Sequence, residues 1–285
     1  MARFVRSCIR VGRLAATSLT IASLLTSSAQ AATLKPETVS AFNYYVRLTE
    51  ARMDAEINNG DFLILDSLPA DRRASTYVSV RGGAVYIEPL HTLDNGDRIR
   101  IPSGMIHHWA GVAFIPGANL AQSVAVMQDY DDQAKCYAPD VQVSKLLAHN
   151  GDNFKIVLRI YNKSLITVVF DAKFDIYNTA LDDARIDSRS RSTRVSEVAN
   201  PGKSNEHELP VGNDHGYMWR LYSYWRLEEK DGGTYVQIET IELSRSVPPE
   251  FEWFVGPLIE SIPRRTLTKL LTATRLAVLN QINPK

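Results

Sequence analysis

The sequence has little cysteine and lacks the motifs of common nucleotide-dependent and metal-dependent enzymes. Its 285 residues include two cysteines, Cys8 and Cys136. Cys8 falls in the predicted leader described below, so the mature chain keeps one cysteine and cannot form an intramolecular disulfide. The mature chain also has no glycine-rich phosphate loop, no Gly-x-Ser-x-Gly elbow and no zinc-binding cysteine pair. These absences count against nucleotide-dependent enzymes, α/β-hydrolases and zinc folds.

Net charge is missing as well, because 32 basic residues balance 32 acidic ones. Four arginines and no acid lie in the first thirteen residues, and without them 28 basic residues face 32 acidic ones. Binding to phosphates needs a basic surface, so nucleic acid is not an expected partner. The composition, 45% hydrophobic and 22% charged, is that of a globular protein. The chain is long enough to be stabilised by its core alone.

Residues 1–31 have the pattern of a cleaved signal peptide. A positively charged start is followed by a short apolar stretch and by the small-residue cleavage site Ala29-Gln30-Ala31. The apolar stretch is short for a membrane-spanning helix. We therefore expect an exported protein, periplasmic or extracellular, whose mature chain begins near Ala32. The positive charges come from Arg3, Arg6, Arg10 and Arg13.

Residues 32–105 predict an N-terminal extension made of helices and a hairpin. A helix is predicted over residues 36–57, with Pro36 in its first turn, and a second over residues 69–81. The segments AVYIEPL and RIRIP are predicted to pair with each other through the turn Asp94-Asn95-Gly96, because Asn-Gly favours the turns of hairpins.

Residues 106–285 predict an antiparallel sheet of about seven strands and a long C-terminal helix. The strand IHHWAGVAFIP leads into two short helices, for which Asn119 is the predicted N-cap. Strands joined by tight turns such as Asn150-Gly151 then follow in succession. Their alternation gives one apolar and one charged face. We expect the charged face to be solvated, with Arg189 and Arg191 pairing with Asp171, Asp175 or Glu239.

The C-terminal helix is predicted to cover the apolar face of this sheet. Ser261 is its predicted cap, Pro263 fits its first turn, and Asn283-Pro284 ends it. A helix is about 10 Å wide, whereas six or seven strands span about 30 Å. Either a ligand or the N-terminal extension must fill the remaining space. The apolar stripe of the helix consists of Leu267, Leu270, Leu271, Thr274 and Val278.

This order of elements resembles that of the START-like, or Bet v 1-like, helix-grip superfamily over residues 106–282. The segment AGVAFIPGANLAQSVAVMQDYDDQAKCYAPDVQVSKLL resembles the opening of its bacterial polyketide cyclase/dehydrase-type members. The resemblance implies an α+β helix-grip fold, with a curved antiparallel sheet wrapped on the C-terminal helix. It also implies a cavity between sheet and helix that holds a hydrophobic molecule. The superfamily has no universal catalytic motif, so no catalytic residue is assigned.

Eleven residues are the candidate lining of this cavity. Adjacent residues of a strand point to opposite faces, so His107 and His108 cannot both bind one metal ion, and no metal or cofactor is assigned. His108 is interpreted either as a residue satisfied inside the core or as a proton donor in the cavity. Trp219 and Trp225 either pack in the core or form cavity walls. The candidates are His108, Trp109, Phe154, Leu158, Phe170, Phe174, Trp219, Trp225, Leu267, Leu271 and Thr274.

Three hypotheses for the function remain open at this point. The first is an exported carrier of a hydrophobic small molecule or lipid, for which contact with a membrane surface is conceivable. The second is a cyclase or hydratase-type enzyme that uses a His or Tyr of the cavity as general acid/base. The third is a protein-interaction module with a filled interior and an exposed apolar patch. The oligomeric state does not follow from the sequence.

Overall fold

The computed structural model describes residues 32–163, 167–247 and 249–283, without the side chains of residues 249–260, and the predicted signal peptide lies outside these residues. The helices are α1 (Pro36–Asn59), α2 (Ala70–Arg81), α3 (Leu120–Gln128), α4 (Gln133–Cys136) and α5 (Pro249–Ile282). The short strands are β1 (Ala32–Thr33), β2 (Tyr86–Pro89), β3 (Leu93–Asp94), β4 (Asp97–Arg98), β10 (His207–Glu208) and β11 (Asn213–Asp214). The long strands are β5 (Gly104–Pro116), β6 (Val141–Asn150), β7 (Asn153–Lys163), β8 (Thr167–Ala180), β9 (Arg185–Ala199), β12 (Arg220–Lys230) and β13 (Gly233–Arg245).

One large antiparallel sheet organises the fold. Its strand order is β2-β5-β13-β12-β9-β8-β7-β6, and β10 pairs with β9 as a ninth strand. The predicted α+β class, with a curved antiparallel sheet and a long C-terminal helix, is confirmed. The sheet has more strands than predicted because β10 adds to it and because β2, from residues 32–105, pairs with β5. The domain boundary near residue 105 stays a prediction.

The predicted pairing of AVYIEPL with RIRIP is wrong. Tyr86–Pro89 pairs with β5, while the turn at Asn95-Gly96 joins the two-residue strands β3 and β4. Asn95 and Gly96 have φ angles of 50° and 94°, which a tight hairpin turn of this kind requires. The turn was thus recognised correctly, but its longer flanking segment is hydrogen-bonded to the edge of the main sheet.

The C-terminal helix begins earlier than predicted. α5 starts at Pro249, so Ser261 and Pro263 lie inside the helix and not at its start. A proline inside a helix removes one backbone hydrogen bond, and this cost does not force the helix to end when neighbouring elements pack against it. Pro263 is buried. The predicted end of the helix before Asn283 is confirmed.

α1 covers one face of the sheet, which we call the back face. Its apolar stripe, which includes Phe42, Val46 and Met53, forms a core with Tyr224 and Ile241 of the sheet. A second core packs α2 and the segment before it against β5 and β13 on the same face. Residues 36–81 therefore pack on the side of the sheet opposite α5.

Ion pairs between α1 and the strands complete this contact. Arg226 of β12 has a side chain that is 2% exposed, and it donates hydrogen bonds to Glu56 at 3.0 Å and to the carbonyls of Met53 and Phe62 at 2.9 Å. Arg191 of β9 reaches Glu50 of α1 at 2.6 Å. Other members of this network are Arg52 with Glu239, and Arg189 with Asp54 and Asp187.

The prediction of a solvated charged face is therefore wrong for the central strands. Arg191 pairs with α1, and Arg189 pairs both with α1 and with Asp187 of its own strand. Glu239 pairs with Arg52 of α1, so neither arginine forms a predicted pair. At the far end of the sheet the predicted kind of cross-strand pair does occur, because Arg159 contacts Asp171 at 2.7 Å and Lys155 contacts Asp175 at 2.9 Å. Alternation along a strand separates two faces but does not tell which element covers the polar one.

Replacing Arg226 by Met should destabilise the protein strongly. Arg226 contacts Glu56 at 3.0 Å and Asp187 at 3.6 Å, and its loss also leaves the carbonyls of Met53 and Phe62 without their donor. Glu56 and Asp187 keep Arg52 and Arg189 as partners, so we expect a loss of about 3 kcal/mol in the free energy of unfolding. Arg194→Met is the matched control, because its ion pair with Glu208 is half-exposed and should contribute less than about 1 kcal/mol. Urea denaturation measures both losses. Equal losses in the two variants would contradict a buried network under α1.

Candidate ligand-binding cavity

The other face of the sheet, which we call the cavity face, borders a cavity of about 600 Å³. α5 forms its roof, and the α3–α4 segment closes one side. Ligand pockets have volumes of about 300–1,000 Å³, so the space suits one small molecule. The lining residues on the strands include Ile156, Leu158, Ile160, Phe174, Ile176, Ile186, Leu221, Trp225, Leu227 and Ile238; those on the helices and their links include Val124, Met127, Tyr130, Tyr137, Val141, Leu267, Leu270, Ala273 and Leu276.

The cavity exists because α5 lies over one half of the sheet. The helix packs mainly on β5, with smaller contacts on β2 and β13. A Cβ atom added to Gly111 of β5 would lie 2.8 Å from Leu271 of α5, so glycine permits this close approach. Trp109, Ile115, Leu271 and Val278 belong to the core at this contact. α5 therefore leaves the part of the cavity face formed by β12, β9, β8 and β7 uncovered, and the α3–α4 segment covers part of it through Tyr130.

A row of hydroxyl groups crosses the apolar floor of the cavity. Ser190 of β9 is in register with Ser223 of β12, which is in register with Thr240 of β13. All three side chains line the cavity. None of their hydroxyl groups forms a hydrogen bond within the described part of the chain, and each is left to face the cavity. Asn178 of β8 also lines the cavity, where its amide lies beside the hydroxyl of Tyr130 without a well-aligned hydrogen bond from Nδ2.

Glu242 is the most unusual residue of the lining. It lies two residues beyond Thr240 on β13, so both side chains share the cavity face. Its carboxyl group forms no hydrogen bond or ion pair within the described residues. Burial in apolar surroundings raises the pKa of Glu242 to about 7. The group therefore changes its charge near neutral pH.

The neighbouring ionisable groups stay neutral near pH 7. His107 of β5 is in register with Glu242 and contacts the hydroxyl of Ser244 at 2.9 Å, and burial lowers the pKa of His107 to about 4. Burial also raises the pKa values of Tyr130 and Tyr137 to about 12. The hydroxyl of Tyr137 is 3.1 Å from that of Thr274.

Of the eleven predicted residues, the structure brings four together in the cavity lining. These four are Leu158, Phe174, Trp225 and Leu267. Trp109 and Leu271 pack in the core between α5 and β5, Phe154 and Phe170 pack in the core near Tyr130, and Thr274 contacts Tyr137. Whether any of these residues contacts a ligand stays a prediction.

His108 and Trp219 lie away from the cavity. His108 is on the back face, where its ring nitrogens contact the hydroxyl of Tyr45 at 2.8 Å and the carboxylate of Glu239 at 2.6 Å. The interpretation of His108 as a proton donor in the cavity is therefore wrong. The structure shows the other interpretation, a core residue whose two ring nitrogens both have hydrogen-bond partners. Trp219 precedes β12 and donates its indole N–H to Asp214 at 3.0 Å in the core under α1. Its position outside the strand breaks the alternation that grouped it with Trp225.

Sequence reasoning missed the hydroxyl row and Glu242. The available signal was the alternation of β13, which places Thr240 and Glu242 on the same face as the apolar Ile238. Within the described residues, no group of three or more His, Cys, Asp or Glu side chains is arranged to hold a metal ion. None of the described helices combines the length and apolarity needed to cross a membrane.

Glu242→Gln should change how stability depends on pH. The folded chain keeps a proton on Glu242 up to about pH 7, whereas an unfolded chain loses it near pH 4.5. Stability from this group is thus highest at low pH and falls as the pH rises from about 4.5 to 7. The variant lacks this fall and should be more stable than the wild type at pH 8 by roughly 1–3 kcal/mol.

The measurement is urea unfolding of both proteins at several pH values between 4 and 8. The contribution of His107 has the opposite sign, since its lowered pKa makes stability rise between about pH 4 and 6.5. The difference between variant and wild type isolates Glu242, because His107 is present in both. A difference that does not change with pH would contradict the burial of this carboxyl group.

Comparison with known proteins finds likeness in solved structures alone: no protein-family model and no curated protein matches the chain. Human StAR-related lipid transfer protein 5 is 11% identical, with 75% of this chain and 94% of that chain covered and a TM-score of 0.45. The Zhui aromatase/cyclase from Streptomyces sp. R1128 is 13% identical (63% and 98% covered, TM-score 0.44). A STAR-related lipid transfer protein fragment from Xanthomonas axonopodis is 18% identical (62% and 96% covered, TM-score 0.41). The order of strands and the terminal helix confirm the α+β helix-grip arrangement that the resemblance implied.

Proposed function

We propose that the protein binds and carries one hydrophobic small molecule in the cavity between its sheet and α5. The observation that carries this proposal is the cavity of about 600 Å³ with walls made mostly of aliphatic and aromatic side chains. Water molecules in the cavity form few hydrogen bonds with such walls, so their replacement by an apolar ligand is favourable. The hydroxyl groups of the floor orient the ligand, and its apolar contacts supply most of the affinity.

The same geometry argues against the two other hypotheses. General acid/base catalysis is most efficient when the group that transfers the proton has a pKa near the working pH. Burial raises the pKa values of the lining residues Tyr130 and Tyr137 to about 12, and His108 lies on the back face, so neither a cavity tyrosine nor His108 is suited to transfer a proton in the cavity near pH 7. An interaction module with a filled interior is not favoured either, because the interior contains this cavity.

Binding is tested with purified protein and a neutral fluorescent probe, N-phenyl-1-naphthylamine. We expect saturable binding of one equivalent of the probe, and a hydrophobic compound in an organic extract of gently purified protein. Ala273 of α5 lines the cavity, so Ala273→Trp should occupy the space and weaken probe binding at least tenfold, or about 1.4 kcal/mol. Gln281→Trp, on the same helix but exposed and outside the lining, should leave binding unchanged.

Two results would overturn the proposal of carriage. One is the absence of both saturable probe binding and any extracted compound. The other is equal binding by the two tryptophan variants, which would place the probe outside the cavity. Urea unfolding accompanies the titration, because an added side chain in a cavity should cost less than about 3 kcal/mol and leave the fold intact.

We further propose that the protein is exported and processed after Ala31. The support is the run of charge, apolar stretch and small residues in residues 1–31. Expression of the full chain in a Gram-negative bacterium should give a periplasmic form whose intact mass begins at Ala32. Ala31→Asp should block processing, because the site requires small residues. A periplasmic form that still carries residues 1–31, or a cytoplasmic one, would contradict processed export. Contact with a membrane surface stays a prediction.

A further inference from the structure

The polar groups of the cavity are arranged as one track across its floor. Asn178, Ser190, Ser223, Thr240 and Glu242 stand on four strands that are neighbours in the sheet, β8, β9, β12 and β13. Side chains opposite each other on neighbouring strands lie about 5 Å apart, so the hydroxyl groups form a continuous row. The amide of Asn178 stands near one end of the track, and the carboxyl group of Glu242 stands at the other.

Ser190, Ser223, Thr240 and Glu242 of this track form no side-chain hydrogen bond or ion pair within the described part of the chain, so they add no such contact to the fold. A buried polar group without a partner costs about 1–3 kcal/mol, and most buried polar groups of proteins are therefore hydrogen-bonded. Glu242 has no partner in the described part of the chain. Leucine at position 242 would suit the apolar neighbours Leu221 and Ile238 better. A ligand group that pairs with Glu242 removes this cost.

The titratable groups of the cavity and of the neighbouring strand β5 do not supply a counter-charge to Glu242. His107 on β5 is neutral near pH 7, and so are Tyr130 and Tyr137 of the α3–α4 segment. On α5, the guanidinium of Arg264 lies 5.8 Å from the centre of the Trp109 ring, and Lys269 pairs with Asp140 at 3.2 Å. Among the described residues, the carboxyl group of Glu242 is thus left to accept a hydrogen bond from whatever enters the cavity.

We propose that Glu242 is the residue that selects the ligand, and that the ligand is an apolar molecule with a hydrogen-bond-donating hydroxyl group placed against this carboxylate. The hydroxyl row beside Glu242 accepts or donates a second bond to the same group. The rest of the ligand lies along Leu158, Phe174 and Trp225. This inference rests on the proposed carriage of a hydrophobic molecule, and names the chemical class that the cavity accepts.

The test compares two ligands that differ in one hydrogen-bond donor. Dodecan-1-ol and its methyl ether, 1-methoxydodecane, are used to displace N-phenyl-1-naphthylamine from the protein at pH 8. We expect the alcohol to bind the wild type at least tenfold more tightly than the ether. In Glu242→Leu the preference should disappear, while the affinity for the ether stays the same or rises. Unchanged ether binding also shows that the variant is folded.

The pH supplies a second readout that a purely structural role would not move. Above pH 7 the carboxylate of Glu242 only accepts hydrogen bonds, so the preference for the alcohol should be largest at pH 8. At pH 5.5 the protonated group can donate to the ether oxygen, and the preference should fall to a few-fold at most. Glu242→Gln, which does not titrate, should give the same preference at both pH values.

The outcomes separate this inference from the carriage on which it rests. If neither ligand displaces the probe and the probe itself does not bind, the proposed carriage is wrong. If both ligands displace the probe with equal affinity at pH 8, carriage stands and the selecting role of Glu242 is wrong. A preference for the alcohol that survives in Glu242→Leu would also overturn that role.

Discussion

The width of the sheet is the constraint on which the rest of the structure depends. Eight strands along its main path span about 34 Å at the usual spacing, whereas a helix with its side chains is about 10–12 Å wide. α5 packs closely on β5, where Gly111 lets Leu271 approach, and it leaves the other strands of the cavity face uncovered. Chain that could have filled this space packs elsewhere, because residues 36–81 lie on the back face. The cavity is therefore a consequence of how the helices are shared between the two faces.

The back face is covered by α1, which packs on its apolar residues and pairs with the charges of its central strands. Arg226 is buried under α1 and holds Glu56 and two carbonyl groups of the helix and the loop after it. Burying such a group is stable when all of its partners are present, and strongly unfavourable when one is missing. The network also fixes the position of α1, since its carboxylates must meet arginines that stand on separate strands. Because these partners stand on the back face, α1 packs there and not in the cavity.

The sequence predicted the elements better than their contacts. Periodicity and caps placed α1 and the strand succession within a few residues, since these signals are local. The partner of β2 and the cover of Arg191 depend on pairing between distant segments, which no local pattern contains. Of the four predicted lining residues, Leu158, Phe174 and Trp225 followed from strand alternation and Leu267 from the helical stripe. Alternation failed for Trp219 because it stands outside the strand, and the choice of His108 failed because parity alone does not say which of two adjacent residues points inward.

Two glutamates of β13 show why the polar part of the cavity points to a ligand. Glu239 faces α1, where burial alone would raise its pKa, but the hydrogen bond from His108 and the charges of Arg52 and Arg226 outweigh burial and lower it. Glu242, three residues further on, meets burial without any such partner, and its pKa rises to about 7. The fold thus supplies partners to the carboxylate that it uses for packing and none to the one in the cavity. A carboxyl group kept unpaired beside a row of free hydroxyl groups makes sense when its partner comes from outside the chain.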